Sequence, residues 1–153
     1  PKKRETNTML SSPQLITRQQ EAQAVLLVNS SYGRCCVQKE FFDLFYETFM
    51  GKSPAIAEMF AHTDMTAQKI VLRTGIAHLI SYAKGKGIAK RKLEELGERH
   101  DRDHLAIKPE MYEMWVDSLL EAVQEFDPKY EAGAEEAWRY VLARGIELMN
   151  SKY

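Results

Sequence analysis

The stretch FYETFMGKSPAIAEMF, residues 45–60, decides how this chain is read. Phe45, Tyr46 and Phe49 continue an apolar face begun by Phe42 at the three- and four-residue spacing of a helix, which predicts a helix from about Gln38 to Met50. Gly51 is expected to mark its end. Ser53 followed by Pro54 is a cap residue before a first-turn proline, so a new, short helix should open there and reach Phe60.

Downstream, a corner at Ala61–Thr63 leads to Asp64, the expected cap of a long helix from Met65 to about Lys84, which Gly85 and Gly87 should break. From Ile88 to His100 the residues Leu93, Leu96 and His100 fall on one helical stripe that ends on an imidazole. A polar connection over 101–108 precedes Pro109, which opens a helix predicted to reach Phe126 through Tyr112, Trp115, Leu119 and Ala122. Asp127 and Pro128 punctuate. A last helix over about Lys129–Asn150 should turn Ala134, Trp138, Val141, Gly145 and Met149 inward, ending the chain in an antiparallel helical pair. Upstream, Ser12 and Pro13 predict a first helix running to about Tyr32, and residues 1–12 read as a loosely held tail. No segment shows sustained apolar alternation with β-branched enrichment, so the expected fold class is all-α, one domain over residues 13–153 with no internal repeat.

The 153 residues, 44% hydrophobic and 28% charged, match an ordinary globular domain able to bury a core. A net charge of -1 gives no broad positive field for a phosphate backbone or anionic lipid, so neither nucleic acid nor membrane is an expected partner. Lys2, Lys3 and Arg4 are given no function. The uncharged stretch between Glu21 and Arg34, which none exceeds, is too short to span a bilayer. Cys35 and Cys36 are adjacent, a spacing at which a disulfide would be strained; two buried thiols and a cytoplasmic location are expected.

There is no glycine-rich phosphate loop, CxxC pair or nucleophile elbow, which leaves nucleotide binding, structural zinc and hydrolysis without support. Three polar residues on apolar helices remain, and each is open to two readings. His100 is either a helix-end imidazole favoured by the dipole or a ligand. Tyr46 is either a core ring with a satisfied hydroxyl or a donor to something bound, and Gln68 either a solvated side chain or part of a site. His104, four residues after His100, is set aside as a metal ligand because Pro109 implies the helix has ended. His62 is read as an exposed corner residue and His78 as a packing or surface residue.

Taken together, Phe45-Tyr46, Pro54, Phe60, Gln68, Leu72, His100 and Tyr112 make residues 16–150 resemble the bacterial single-domain globins and the globin module of flavohaemoglobins. The most specific segment is 45–60, and the second is the 32-residue interval from Gln68 to His100. The resemblance implies a three-on-three helical fold enclosing a pocket for haem b (iron protoporphyrin IX). In it His100 would be the iron ligand, Phe60 the ring packed on the haem, Tyr46 and Gln68 the polar pair on the gas-binding side, and Leu72 the apolar wall there. Leu93 and Leu96 would press on the ligand side, and Tyr112 would be the tyrosine that accompanies the ligand histidine.

The resemblance also implies O2, NO or CO as ligand, with reversible oxygen binding the leading function. Nitric oxide dioxygenation with a separate reductase, weak peroxidase activity, and a haem-based gas or redox sensor are the other functions it allows, in a monomer or homodimer. One departure stands out. The flavohaemoglobin glutamate near the end of the last helix falls beyond Asn150, and Glu147, the nearby acid, is about two turns early.

Overall fold

In the computed structural model, residues 17–101, 105 and 107–152 are described. The expected tail and His104 lie outside them. Thr17 begins the described chain with a capping box: its hydroxyl accepts from the Gln20 amide at 3.0 Å, and the Gln20 side chain accepts from the Thr17 amide at 2.9 Å. Thr17 is extended, so helix α1 (Arg18–Cys36) starts after it; the Ser12–Pro13 signal lies outside the described residues. A T-x-x-Q box satisfies two amides at once. The helix also runs four residues past the expected Tyr32, through Gly33 to Cys36, and only Cys35 of the two free thiols is buried, Cys36 being half-buried.

Six helices follow among the described residues: α2 (Glu40–Lys52), α3 (Pro54–Met59), α4 (Met65–Ala83), α5 (Gly87–Arg99), α6 (Pro109–Phe126) and α7 (Ala134–Asn150). Gly51 does not end α2. The stop is Ser53, which Pro54 drives into extended backbone at φ -160° while its hydroxyl caps the Ile56 amide of α3. Asp64 caps α4 through the Thr66 and Ala67 amides, as expected. Between α4 and α5 it is Gly85, at φ 88°, that turns the chain, and Gly87 is already helical. Helix α7 begins at Ala134 and not near Lys129, because Gly133 takes the left-handed conformation at φ 91° immediately before it.

The helices form two layers of three. In one, α4 packs against both α1 and α5; in the other, α6 packs against both α2 and α7. Helix α7 crosses all three helices of the first layer and α2 reaches α4, so the core lies between the layers. Trp138, Phe41, Phe45 and Leu119 are fully buried there. Two glycines allow the crossings. A Cβ on Gly97 would sit 3.0 Å from the Met149 backbone, and one on Gly145 would collide with the Leu79 side chain. These contacts hold α5 close against α7, and α5 carries His100 at its end.

One buried polar network ties the layers together. Asp127 accepts two bonds from Arg34, at 2.6 and 3.1 Å, one from the Ser31 hydroxyl at 2.6 Å and one from the Lys129 amide at 2.9 Å. Ser31 in turn accepts from the Trp138 indole at 3.1 Å. Burial alone would push the Asp127 carboxyl up, but the Arg34, Ser31 and Lys129 bonds together hold it at about 2 against an ordinary 3.8. Because the folded value is the lower one, the stabilisation is complete above pH 3.8 and is lost as pH falls through about 2. Asp127→Asn is expected to lower unfolding free energy by about 2 kcal/mol at pH 7, measured by urea denaturation. The penalty should shrink at pH 3; an equal loss at both pH values would show that the carboxylate charge is not what matters.

Candidate functional site

A cavity of about 420 Å³ opens between the two layers, within the range of roughly 300–1,000 Å³ typical of pockets that enclose a whole ligand. Of the residues given a place at the pocket in the sequence, Tyr46, Phe60, Gln68, Leu72, Leu96, His100 and Tyr112 line it. Four helices and one corner bring them together.

On the α2 and α4 side, the Tyr46 ring is wedged edge-on against Phe45 and Phe60 at 4.9 and 5.4 Å between centroids. Its hydroxyl accepts from Gln68 Nε2 at 3.0 Å and donates to the Gln68 backbone carbonyl across a long 3.4 Å. The acceptor lone pair is thus filled while the proton is only weakly held. Burial pushes the Tyr46 phenol up to about 12, with the Gln68 bond acting the other way, so the hydroxyl stays a donor at physiological pH.

At the end of α5, His100 is the C-cap residue, its amide bonded back to Leu96 and Gly97. Its Nδ1 lies 3.0 Å from the Tyr112 hydroxyl, which fixes the ring and leaves Nε2 as the nitrogen available to the cavity. Burial, aided by the Arg99 guanidinium nearby, holds the imidazole down at about 4, so it is neutral near pH 7. Burial also pushes Tyr112 up to about 12. The partner of His100 is therefore a neutral phenol. Glu147 is exposed on α7 and takes no part.

Leu93 differs from expectation. It is fully buried but faces α7 near Gly145 and does not line the cavity, so only Leu96 and His100 of that stripe do. His62 is exposed and not part of the wall, whereas its neighbour Thr63 is. Several wall residues had not been singled out. Gly75 and Leu79 continue the stripe of Gln68 and Leu72 at helical spacing, and Trp115 follows Tyr112 by three, so periodicity alone could have found them. Ile107 sits in the connection before α6, where no periodicity applies.

The wall is largely apolar and offers one imidazole, which fits an apolar group that takes a nitrogen ligand. Val71 and Leu105 line the cavity yet are 52% and 63% exposed, an apolar rim that such a group would cover. A Cβ on Gly75 would meet nothing within 4 Å, so this position on the cavity-facing stripe of α4 keeps width that any side chain would take away. Gly75→Leu is expected to leave the helical far-UV spectrum intact and, with haem as the group that the sequence resemblance implies, to reduce uptake of added haemin at least tenfold in a spectrophotometric titration. Uptake at the wild-type level would show that the group seats elsewhere.

No family model matches the sequence, and neither does any curated protein. A crystal structure does: a protein from Pseudomonas aeruginosa PAO1, described as structurally highly homologous to a human hemoglobin, superposes with a TM-score of 0.82 at 48% sequence identity. The match covers 85% of this chain and 98% of that one. No helix among the described residues is long and apolar enough to cross a membrane.

Proposed function

The chain belongs to the bacterial single-domain globins, and from that premise we propose that it holds haem b through His100 and binds O2 reversibly, with NO and CO as competing ligands. What supports this reading above all is the convergence of two polar pairs, His100 with Tyr112 and Tyr46 with Gln68, on one otherwise apolar cavity. When bound, haem supplies ferrous iron as the gas-binding centre. His100 would hold the iron through its neutral imidazole.

The residues divide the work. Tyr112 engages Nδ1 and so orients Nε2 of His100. A phenol is a poorer acceptor than a carboxylate and makes the imidazole a modest electron donor, which favours reversible binding over peroxidase chemistry. Gln68 fills the lone pair of the Tyr46 hydroxyl and leaves its weakly held proton to turn towards a gas carrying partial negative charge. Leu72, Leu79 and Phe60 exclude water from that side. A cytoplasmic setting and a separate reductase complete the reading, and the free thiols Cys35 and Cys36 fit a reducing compartment.

Absorbance of the purified protein tests the reading. An intense Soret band that shifts on reduction and again on oxygenation is expected. A colourless protein that also fails to take up haemin would defeat it.

A further inference from the structure

Lys84, Lys86, Lys90, Arg91 and Lys92 crowd the corner where α4 ends and α5 begins, and all five are exposed. No acid lies among residues 84–92, and none of the five joins an ion pair among the described residues. In their midst Ile88 is 78% exposed. These five belong to the chain's 21 Lys and Arg, and without them its 22 acids would clearly be in excess, so the corner is a positive island on a chain whose remainder is acidic. The arrangement also runs against the helix dipole. Lys84 caps the C-terminus of α4, where a cation is favoured, but the other four occupy the start and first turns of α5, Lys86 provides no side-chain cap, and Glu94, Glu95 and Glu98 lie in the C-terminal half. Helix stability favours the opposite order, so the island is not explained by folding, and the uncapped helix start adds to its positive potential.

We propose that this corner docks the acidic face of an electron-donor protein. The proposal rests on the haem reading above: one electron leaves the donor and reduces ferric iron to ferrous, with no bond made or broken. Lys90 precedes His100 by ten residues, a helical distance of about 15 Å, so a partner seated here lies near the iron ligand. Complementary charge steers such encounters and sets their rate. A protein face fits better than the other polyanions. Ile88 alone offers little to insert into a bilayer, and the acidic remainder of the chain repels an extended nucleic acid.

The test is stopped-flow reduction of the ferric holoprotein by reduced flavodoxin, an acidic flavoprotein. At about 10 mM salt, Lys86→Glu/Lys90→Glu/Arg91→Glu should slow the second-order rate at least tenfold, and the difference should collapse at about 500 mM, where the Debye length is only a few ångström. Reduction by a small neutral donor, photoreduced deazariboflavin, should not change. A control reversal at Arg18, Lys129 and Arg144, elsewhere on the surface, should stay within twofold of wild type. Equal rates for wild type and the corner variant would overturn the proposal, as would an equal slowing in the control. So would retention of wild type, but not the corner variant, on vesicles containing phosphatidylserine while the flavodoxin rates coincide. If no Soret band exists, the haem reading fails instead, and calorimetric titration of both proteins with flavodoxin then decides docking on its own.

Discussion

His100→Ala is expected to lower haem affinity about 100-fold or more and to remove the Soret band from the purified protein, while far-UV circular dichroism keeps its helical shape. The substitution removes the nitrogen that Tyr112 orients at 3.0 Å, and the wall that remains holds no second imidazole. Loss of a group that merely orients a ligand already costs about 10–100-fold in metal affinity, so loss of the ligand itself should cost at least the upper figure. Free imidazole added to the variant should restore part of the band by diffusing into the space left. The fold should survive, since the bonds that His100 gives α5 are made by its backbone amide, which alanine keeps, and the Gly97–Met149 approach that seats this helix is untouched. A variant with an unaltered ferrous spectrum would mean that another residue holds the iron.

The second large effect concerns Tyr46. Tyr46→Phe keeps the ring wedged between Phe45 and Phe60 and removes only the hydroxyl, so it isolates the hydrogen bond. A bond from a phenol to a partly charged acceptor contributes about 1.5–3 kcal/mol, which corresponds to O2 dissociating roughly 10- to 150-fold faster. CO, which carries much less charge on its outer atom, should show a far smaller change. Gln68→Leu should recover part of the same effect, and the double variant should be less than additive because Gln68 acts through the Tyr46 oxygen. Flash photolysis of the ferrous protein gives both rates. An O2 off-rate unchanged in Tyr46→Phe would take the hydroxyl out of gas binding.

Much of the site was legible early because its residues sit on helical stripes with punctuated ends. Gln68 and Leu72 are four apart on α4, Leu96 and His100 four apart at the end of α5, and Pro109 sets where Tyr112 falls in the first turn of α6. Local chemistry was less legible. The Thr17–Gln20 capping box that starts α1 was not singled out in the sequence, and the reciprocal pair of amide bonds reveals it. Gly51 and Gly133 look alike in sequence, yet one continues a helix and the other turns left-handed, because glycine permits either and its neighbours choose.

Periodicity, caps and the order of a few polar residues were enough to determine an all-helical chain with His100, Tyr46 and Gln68 as its notable side chains. Which of them meet, and what else they touch, was settled by helix crossings between segments far apart in the chain. That Leu93 turns to Gly145 and not to the cavity, that His100 pairs with Tyr112, and that Asp127 gathers Arg34, Ser31 and, through it, Trp138 are outcomes of packing. A side chain's spacing tells which face of its own helix it shares. The neighbour that face meets depends on how closely two backbones approach, and here glycines at 97 and 145 set that distance.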